Sequence, residues 1–402
     1  MMRLLFVDDD PVVLEQIRGE LGHARLQYDA VFVEDGASAL AAVEGGEFDA
    51  IVTDLRMPKM DGAELLSQVR NRHPKVVRIC MSGAVDDADF MRAMPVAQQF
   101  LSKPIVGEAL REVVNRACSL NSILHHQGIR ALVGRLTSLP ATAQTFHELS
   151  EAMTQPNAHT ADISRIVSKD TALCLKTLQI VNSSFFRRSA PITSIHAAVT
   201  FVGMEMIRSL ALSACMFNAL DASPAASKLL RDLQSRSMRK AHFARTLLKE
   251  SRHADEAFTA ALLLDVGQAV LAMCSPQMFS EVIQIARESN RPWHEVEKEA
   301  FGVAHPEVGA YLLGLWGLPL ELIEAVAYHH TPSRVKHAQT AMLAAVHVAD
   351  AVIDATADQP EKLLNKLDAA FIARTGVHRC LTEWDIDPDE DVHTAQQKAD
   401  AP

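Results

Sequence analysis

Along residues 1–128, short apolar runs alternate with stretches in which apolar residues recur every three or four positions. The runs at 4–7, 30–33, 50–53, 76–80 and 99–101 predict strands, and spacings such as Val13, Ile17 and Leu21 predict the helices between them. That alternation predicts an α/β unit: a doubly wound, parallel, five-stranded sheet of flavodoxin-like order, with its ligand crevice beyond the carboxyl ends of the strands. From Gly128 the alternation stops and helical spacing runs on to about residue 356. Breaks fall at Leu139-Pro140, Gln155-Pro156, Ala190-Pro191, Ser223-Pro224, Ser275-Pro276 and Arg291-Pro292. Thr160 and Ser194 stand where N-caps are expected. This middle block predicts an all-helical domain. Residues 351–402 carry one amphipathic pattern (Leu363, Leu364, Leu367, Ala370, Phe371) and an acidic, proline-containing end with no evident chemistry.

Composition changes this picture little. At 402 residues and 48% hydrophobic the chain is too long for one core, and a mean hydropathy of +0.04 argues against a membrane protein and a disordered one. No run of about 18 uncharged apolar residues predicts a membrane span, and MMRLLFVDDD does not read as a secretory signal. Six scattered cysteines without a CxxC pair fit reduced thiols, so a cytoplasmic protein is expected. Charge is uneven. Residues 1–128 are net −6, residues 129–350 net +1 and residues 351–402 net −6, giving −11 in all. That balance does not suggest nucleic-acid binding, and no helix-turn-helix with a basic recognition helix is visible.

The predicted strand ends carry the chemistry of the first block. Strand 1 ends in Asp8-Asp9-Asp10, strand 3 in Asp54, strand 4 in Ser82 and strand 5 in Lys103-Pro104. If strands 1 and 3 are neighbours, Asp8, Asp9 and Asp54 converge, and carboxylates that close need a counter-charge such as Mg²⁺. With Lys103 and the Ser82 hydroxyl they form a cradle for phosphoryl oxygens. The motifs LLFVDDDP, IVTDLRMPKMDG, ICMSG and FLSKP resemble the response-regulator receiver domain of two-component signalling, over residues 1–122. The resemblance implies that Asp54 is the phospho-acceptor. It implies that Asp8 and Asp9, with the backbone carbonyl of Arg56, hold Mg²⁺. Ser82 and Phe100 would be the switch residues and Lys103 the active-site lysine. A histidine kinase is the implied partner.

After Pro104, apolar positions at Leu110, Val113, Ala117, Leu120 and Leu124 follow heptad spacing. They predict a helical linker over 105–135 that overlaps the last receiver helix. Its second half reads as a signalling helix or a short dimer seam, so a homodimer is among the expected assemblies.

Nine of the seventeen histidines lie between His196 and His347. His305, His329, His330, His347, Asp265 and Asp350 could surround a divalent metal. An HD-type phosphohydrolase site needs a His-Asp dipeptide, but Leu264 precedes Asp265 here. Several segments resemble the HDOD domain, a relative of HD hydrolases that usually lacks their activity: LTSLPATAQTFHEL, AFTAALLLDVGQAVL, HPEVGAYLLGLWGLPLELIEAVAYHH and AVHVAD. The resemblance spans 136–350. It implies a degenerate HD site made of Arg236, Leu264, Asp265, His305, His329 and His330, with Arg236 in place of an upstream ligand and pairing with Asp265. No HDOD cofactor is expected.

Taken singly, each histidine reads better as structural than as a ligand. His305-Pro306 suits a helix cap, and Trp316 with Gly317, Leu318 and Pro319 suits a packed turn. The basic stretch 228–252, with eight basic and two acidic residues, reads as a solvated helix face. The expected function is therefore a phosphorylation-controlled regulator whose HDOD output binds downstream signalling proteins and is not an enzyme. The rival is a receiver-controlled, metal-dependent phosphohydrolase or cyclic-dinucleotide phosphodiesterase acting through His305, His329, His330 and Asp265.

Overall fold

The computed structural model describes residues 2–23, 28–83, 92–105, 108–115, 126–136, 139, 143–155, 159–183, 186, 190–204, 206–208, 210–211, 224–249, 251–335, 340–354, 367–368 and 370–371. The chain divides into two compact units. The first comprises Met1–Ser138, Asn182–Pro191 and Tyr311–Leu318. The second comprises Leu139–Val181, Ile192–Ala310 and Pro319–Pro402.

The first unit is built on β1 (Met2–Val7), β2 (Tyr28–Val33), β3 (Ala50–Asp54), β4 (Val77–Ser82) and β5 (Gln99–Ser102), all parallel in the order β2-β1-β3-β4-β5. Each strand lies within a residue or two of its predicted place, and β1 and β3 are neighbours in register from Leu4↔Ala50 to Val7↔Thr53. The central strands are buried on both faces, which is why they read as unbroken apolar runs. Helices α1 (Pro11–His23), α2 (Gly36–Gly45) and α3 (Gly62–Arg72) connect them. Asp35 and Asp61 cap α2 and α3, accepting from the amides of Ser38 and Glu64.

Residues 108–115 are helical, with Leu110 and Val114 buried and Val113 half-buried. The predicted linker positions Ala117, Leu120 and Leu124 lie outside the described residues, as do Leu363, Leu364 and the acidic end; of the C-terminal amphipathic pattern Leu367 is half-buried, Ala370 exposed and Phe371 buried. Helix α4 (Gln127–Arg135) is fastened to the sheet by Arg78 on β4. The Arg78 guanidinium, 1% exposed, donates to the Val96 carbonyl at 2.9 Å and to the Gly134 carbonyl at 2.7 Å. Burial pushes its pKa down to about 9, so it stays charged at neutral pH and is solvated by carbonyl oxygens.

The second unit is helical: α5 (Ala143–Thr154), α6 (Thr160–Ser168), α7 (Thr171–Val181), α8 (Ile195–Val202), α9 (Pro224–Leu247), α10 (Ala254–Leu263), α11 (Val266–Cys274), α12 (Pro276–Ser289), α13 (Trp293–Phe301), α14 (His305–Leu315), α15 (Leu320–Tyr328) and α16 (Thr340–Asp354). Helix α14 begins here and passes into a segment grouped with the first unit. Ser194 caps α8 as expected, accepting from the Ala197 amide. Thr160 does not cap. It is the first residue of α6, and His159 takes the cap position without a side-chain bond. Pro224 and Pro276 open α9 and α12, where a missing amide hydrogen costs nothing. Ala254–Cys274 is apolar and long enough to cross a membrane, yet its most apolar window is 83% buried, so it is the core of the helical unit.

The three described cysteines, Cys80, Cys174 and Cys274, are free thiols. The turn predicted at Trp316 is present. Gly317 adopts φ +72, which a side chain would resist, and Trp316 is 2% exposed.

Candidate functional sites

At the carboxyl edge of the sheet the predicted residues meet. Asp8 follows β1 and is buried; Asp54 ends β3 and is nearly so; Asp9 is exposed. Each offers an oxygen within 4.8 Å of the others. Lys103 Nζ donates to Asp8 Oδ2 at 2.6 Å and to Asp54 Oδ1 at 2.5 Å. The second Asp54 oxygen accepts from the Arg56 amide at 3.0 Å, and Asp8 Oδ1 accepts from the Asp10 amide at 3.1 Å. Asp10 itself is turned away, accepting from the Val12 amide at the start of α1.

Register explains the convergence. Asp54 pairs with Met81, one residue before Ser82. Ser82 pairs with Ser102, one residue before Lys103, whose amide donates to the Ser82 carbonyl. Gly62 lets α3 start against this edge, because a Cβ there would lie 2.0 Å from the Asp54 carbonyl oxygen. Phe100 on β5 is buried at 2% exposure.

Burial raises the Asp8 pKa, and the Lys103 hydrogen bond opposes that rise. Burial also disfavours the Lys103 ammonium, but hydrogen bonds and charge from Asp54 and Asp8 outweigh it and hold the pKa above its ordinary value. Three carboxylates against one ammonium leave two negative charges. An all-oxygen donor set with that charge fits a hard divalent cation, so the cluster is consistent with a Mg²⁺ site.

The second cluster lies wholly in the helical unit. Arg236 and Lys240 sit one turn apart on α9 and face Asp350 and Asp354, one turn apart on α16, with Asp265 at the start of α11. The Lys240 ammonium, 0% exposed, donates to Asp265 Oδ2 and Asp350 Oδ1, both at 2.6 Å. The expected Arg236–Asp265 pair is present but loose, at 3.5 Å. Arg236 lies closer to Asp354, at 3.2 Å, and stacks over the Trp293 ring at 4.2 Å. Sequence reasoning missed Lys240. The basic stretch is therefore not wholly a solvated face: two of its cations are turned inward. Burial alone would raise the pKa of Asp265 and of Asp350. The positive groups around them, Lys240 foremost, hold both well below the ordinary carboxylate range.

Leu264, which precedes Asp265, is completely buried. The three histidines that read singly as structural are brought together. His305 Nε2 lies 3.2 Å from His329 Nε2 and 3.3 Å from His330 Nε2. Their outer nitrogens are anchored: His305 Nδ1 on Glu297 at 2.6 Å, His329 Nδ1 on the Val326 carbonyl at 2.8 Å, and His330 Nδ1 3.3 Å from Asp350 Oδ2. His305 is the first residue of α14 and not its cap, and its ring reaches into the cluster. Gly267 makes this possible, since a Cβ there would meet the His305 carbonyl oxygen at 2.0 Å.

Burial pushes the His329 pKa down to about 4 and that of His330 well below its ordinary value. Burial acts the same way on His305, but Glu297, Asp265 and Asp350 outweigh it and raise its pKa. His347 is structural: its Nδ1 donates to the His329 carbonyl at 2.6 Å. The sequence offered no signal for Glu297, which lies eight residues before His305 on the preceding helix α13.

The acidic, lysine-bridged edge thus lies on a five-stranded parallel sheet that is followed in the same chain by a helical unit. The response regulator receiver domain model matches residues 4–115 and the HDOD domain model matches residues 139–332. The chain is thus a response-regulator receiver domain fused to an HDOD domain.

Among curated relatives, an uncharacterised protein of Treponema pallidum is 28% identical over 205 residues, covering 50% of this chain and 39% of that one. The transcriptional regulatory protein QseB of Haemophilus influenzae is 30% identical over 138 residues, covering 32% and 60%. This chain spans between 11% and 61% of the length of the first curated relatives it matches. A virulence factor of Campylobacter jejuni of known structure shares the fold at a TM-score of 0.53 and 16% identity, over 69% of this chain and 99% of that one.

Proposed function

We propose that the chain is a cytoplasmic response regulator in which residues 1–122 receive a phosphoryl group on Asp54 from a histidine kinase and residues 136–350 convert that event into binding of a downstream signalling protein. The observation that carries the receiver step is the Lys103 bridge between Asp8 and Asp54. It holds Asp54 Oδ1 beside Asp8 while the Arg56 amide fixes Oδ2. Asp54 attacks phosphorus, the bond from phosphorus to the kinase imidazole breaks, and the imidazole leaves. Asp8, Asp9, Asp54 and the Arg56 carbonyl would hold Mg²⁺, which offsets charge on the phosphoryl oxygens. Lys103 then pairs with a phosphoryl oxygen, the Ser82 hydroxyl donates to another, and Phe100 repositions beside them. The anchoring of α4 by Arg78 supports relay through the 105–135 linker, since β4 also carries Ser82.

The output is read as non-hydrolytic because Leu264 offers no ligand and the Lys240 ammonium occupies the space between Asp265 and Asp350. Incubation with a small phosphodonor and Mg²⁺ should add one phosphoryl group to the wild type by intact mass and none to Asp54→Asn. Equal labelling of the variant would remove Asp54 as acceptor.

A further inference from the structure

We infer that the helical domain holds one divalent transition ion of the zinc class on the Nε2 atoms of His305, His329 and His330, with Asp265 Oδ1 as a fourth donor. This site is separate from the Mg²⁺ edge of the receiver and does not depend on the receiver reading. Three buried imidazoles turn their inner nitrogens towards one another, and their outer nitrogens face acceptors: a carboxylate, a backbone carbonyl and a second carboxylate. That is how proteins orient ligating histidines, because a proton held on Nδ1 leaves the Nε2 lone pair free for a metal. Zinc–nitrogen bonds of about 2.0–2.1 Å in a tetrahedron place neighbouring nitrogens about 3.3–3.4 Å apart. The separations from His305 Nε2 are 3.2 Å to His329 Nε2 and 3.3 Å to His330 Nε2.

Two further observations point to a cation. Asp265 Oδ1 is buried, accepts no hydrogen bond, and lies 3.7 Å from His305 Nε2. Its other oxygen is committed to Lys240, so the carboxylate spans an ammonium on one side and the imidazole cage on the other. The surroundings are acidic as well: Asp265, Asp350 and Asp354 lie against Lys240 and Arg236, and Glu297 lies against His305. Nitrogen donors of this kind select zinc-class ions over Mg²⁺.

The test is titration of chelator-treated full-length protein with Co²⁺, followed by displacement with Zn²⁺. One equivalent of Co²⁺ per chain with the intense visible absorption of a tetrahedral nitrogen site, displaced by Zn²⁺, is the expected result. His330→Ala, and the milder His330→Gln, should weaken uptake at least about tenfold while helical circular dichroism is retained. His253→Ala, whose ring lies on Glu256 elsewhere, should leave uptake unchanged. Absence of the tetrahedral spectrum in the wild type, or its survival in a folded His330 variant, overturns the site. Hydrolysis of cyclic di-GMP by the Zn²⁺-loaded wild type would overturn the non-hydrolytic output reading and leave the site standing.

Discussion

The Lys240 ammonium is the counter-charge for two buried carboxylates, so its loss strands both. Lys240→Met keeps the volume and removes the charge, and should cost about 3–5 kcal/mol in urea unfolding. An unchanged midpoint would mean that Arg236 alone neutralises the cluster. Lys176, on α7, offers a test with a definite sign. Burial pushes its pKa from 10.5 down to about 7. Between those values the unfolded chain binds a proton that the folded chain does not, so this residue makes stability rise with pH across that window, and its penalty is fully present below about 7. Wild-type stability relative to Lys176→Met should therefore increase from pH 7 to about pH 9.5 by urea titration. A constant difference would contradict the assignment.

At the scale of elements, one glycine sets the approach of α11 to α14. Gly267→Ala would push a methyl against the His305 carbonyl and should cost about 1–3 kcal/mol, with weaker metal uptake as His305 moves from Asp265. Gly19→Ala on α1, where nothing lies within 4 Å, serves as the control and should be neutral or slightly stabilising. Equal effects of the two changes would show that the close approach is not needed.

The receiver edge was legible in the sequence because a parallel sheet places its chemistry at strand ends. The apolar runs locate those ends, so Asp8, Asp54, Ser82 and Lys103 could be brought together before any geometry was known. The helical cluster was legible only in its parts. Lys240 belongs to a helix rich in bases, and no local pattern shows which base turns inward. That choice is made by Asp350, 110 residues later, when α16 packs on α9. Glu297 was hidden for the same reason, since a glutamate on an amphipathic helix reads as solvated until its neighbour is known. The three histidines, read one by one, say nothing of the cluster they form, because His305 reaches His329 and His330 only through the fold.

At the scale of the whole molecule, the proposed relay would run from Asp54 to the helical unit through residues 105–135. A kinase-driven charge at Asp54 matters only if residues far along the chain respond to it. Hydrogen–deuterium exchange on the full chain, with Mg²⁺ and with or without a small phosphodonor, tests this directly in the wild type and Asp54→Asn. Altered protection is expected in β4, β5, residues 105–135 and the helical unit of the wild type, and no change in the variant. Changes confined to the receiver, or equal changes in Asp54→Asn, would contradict it.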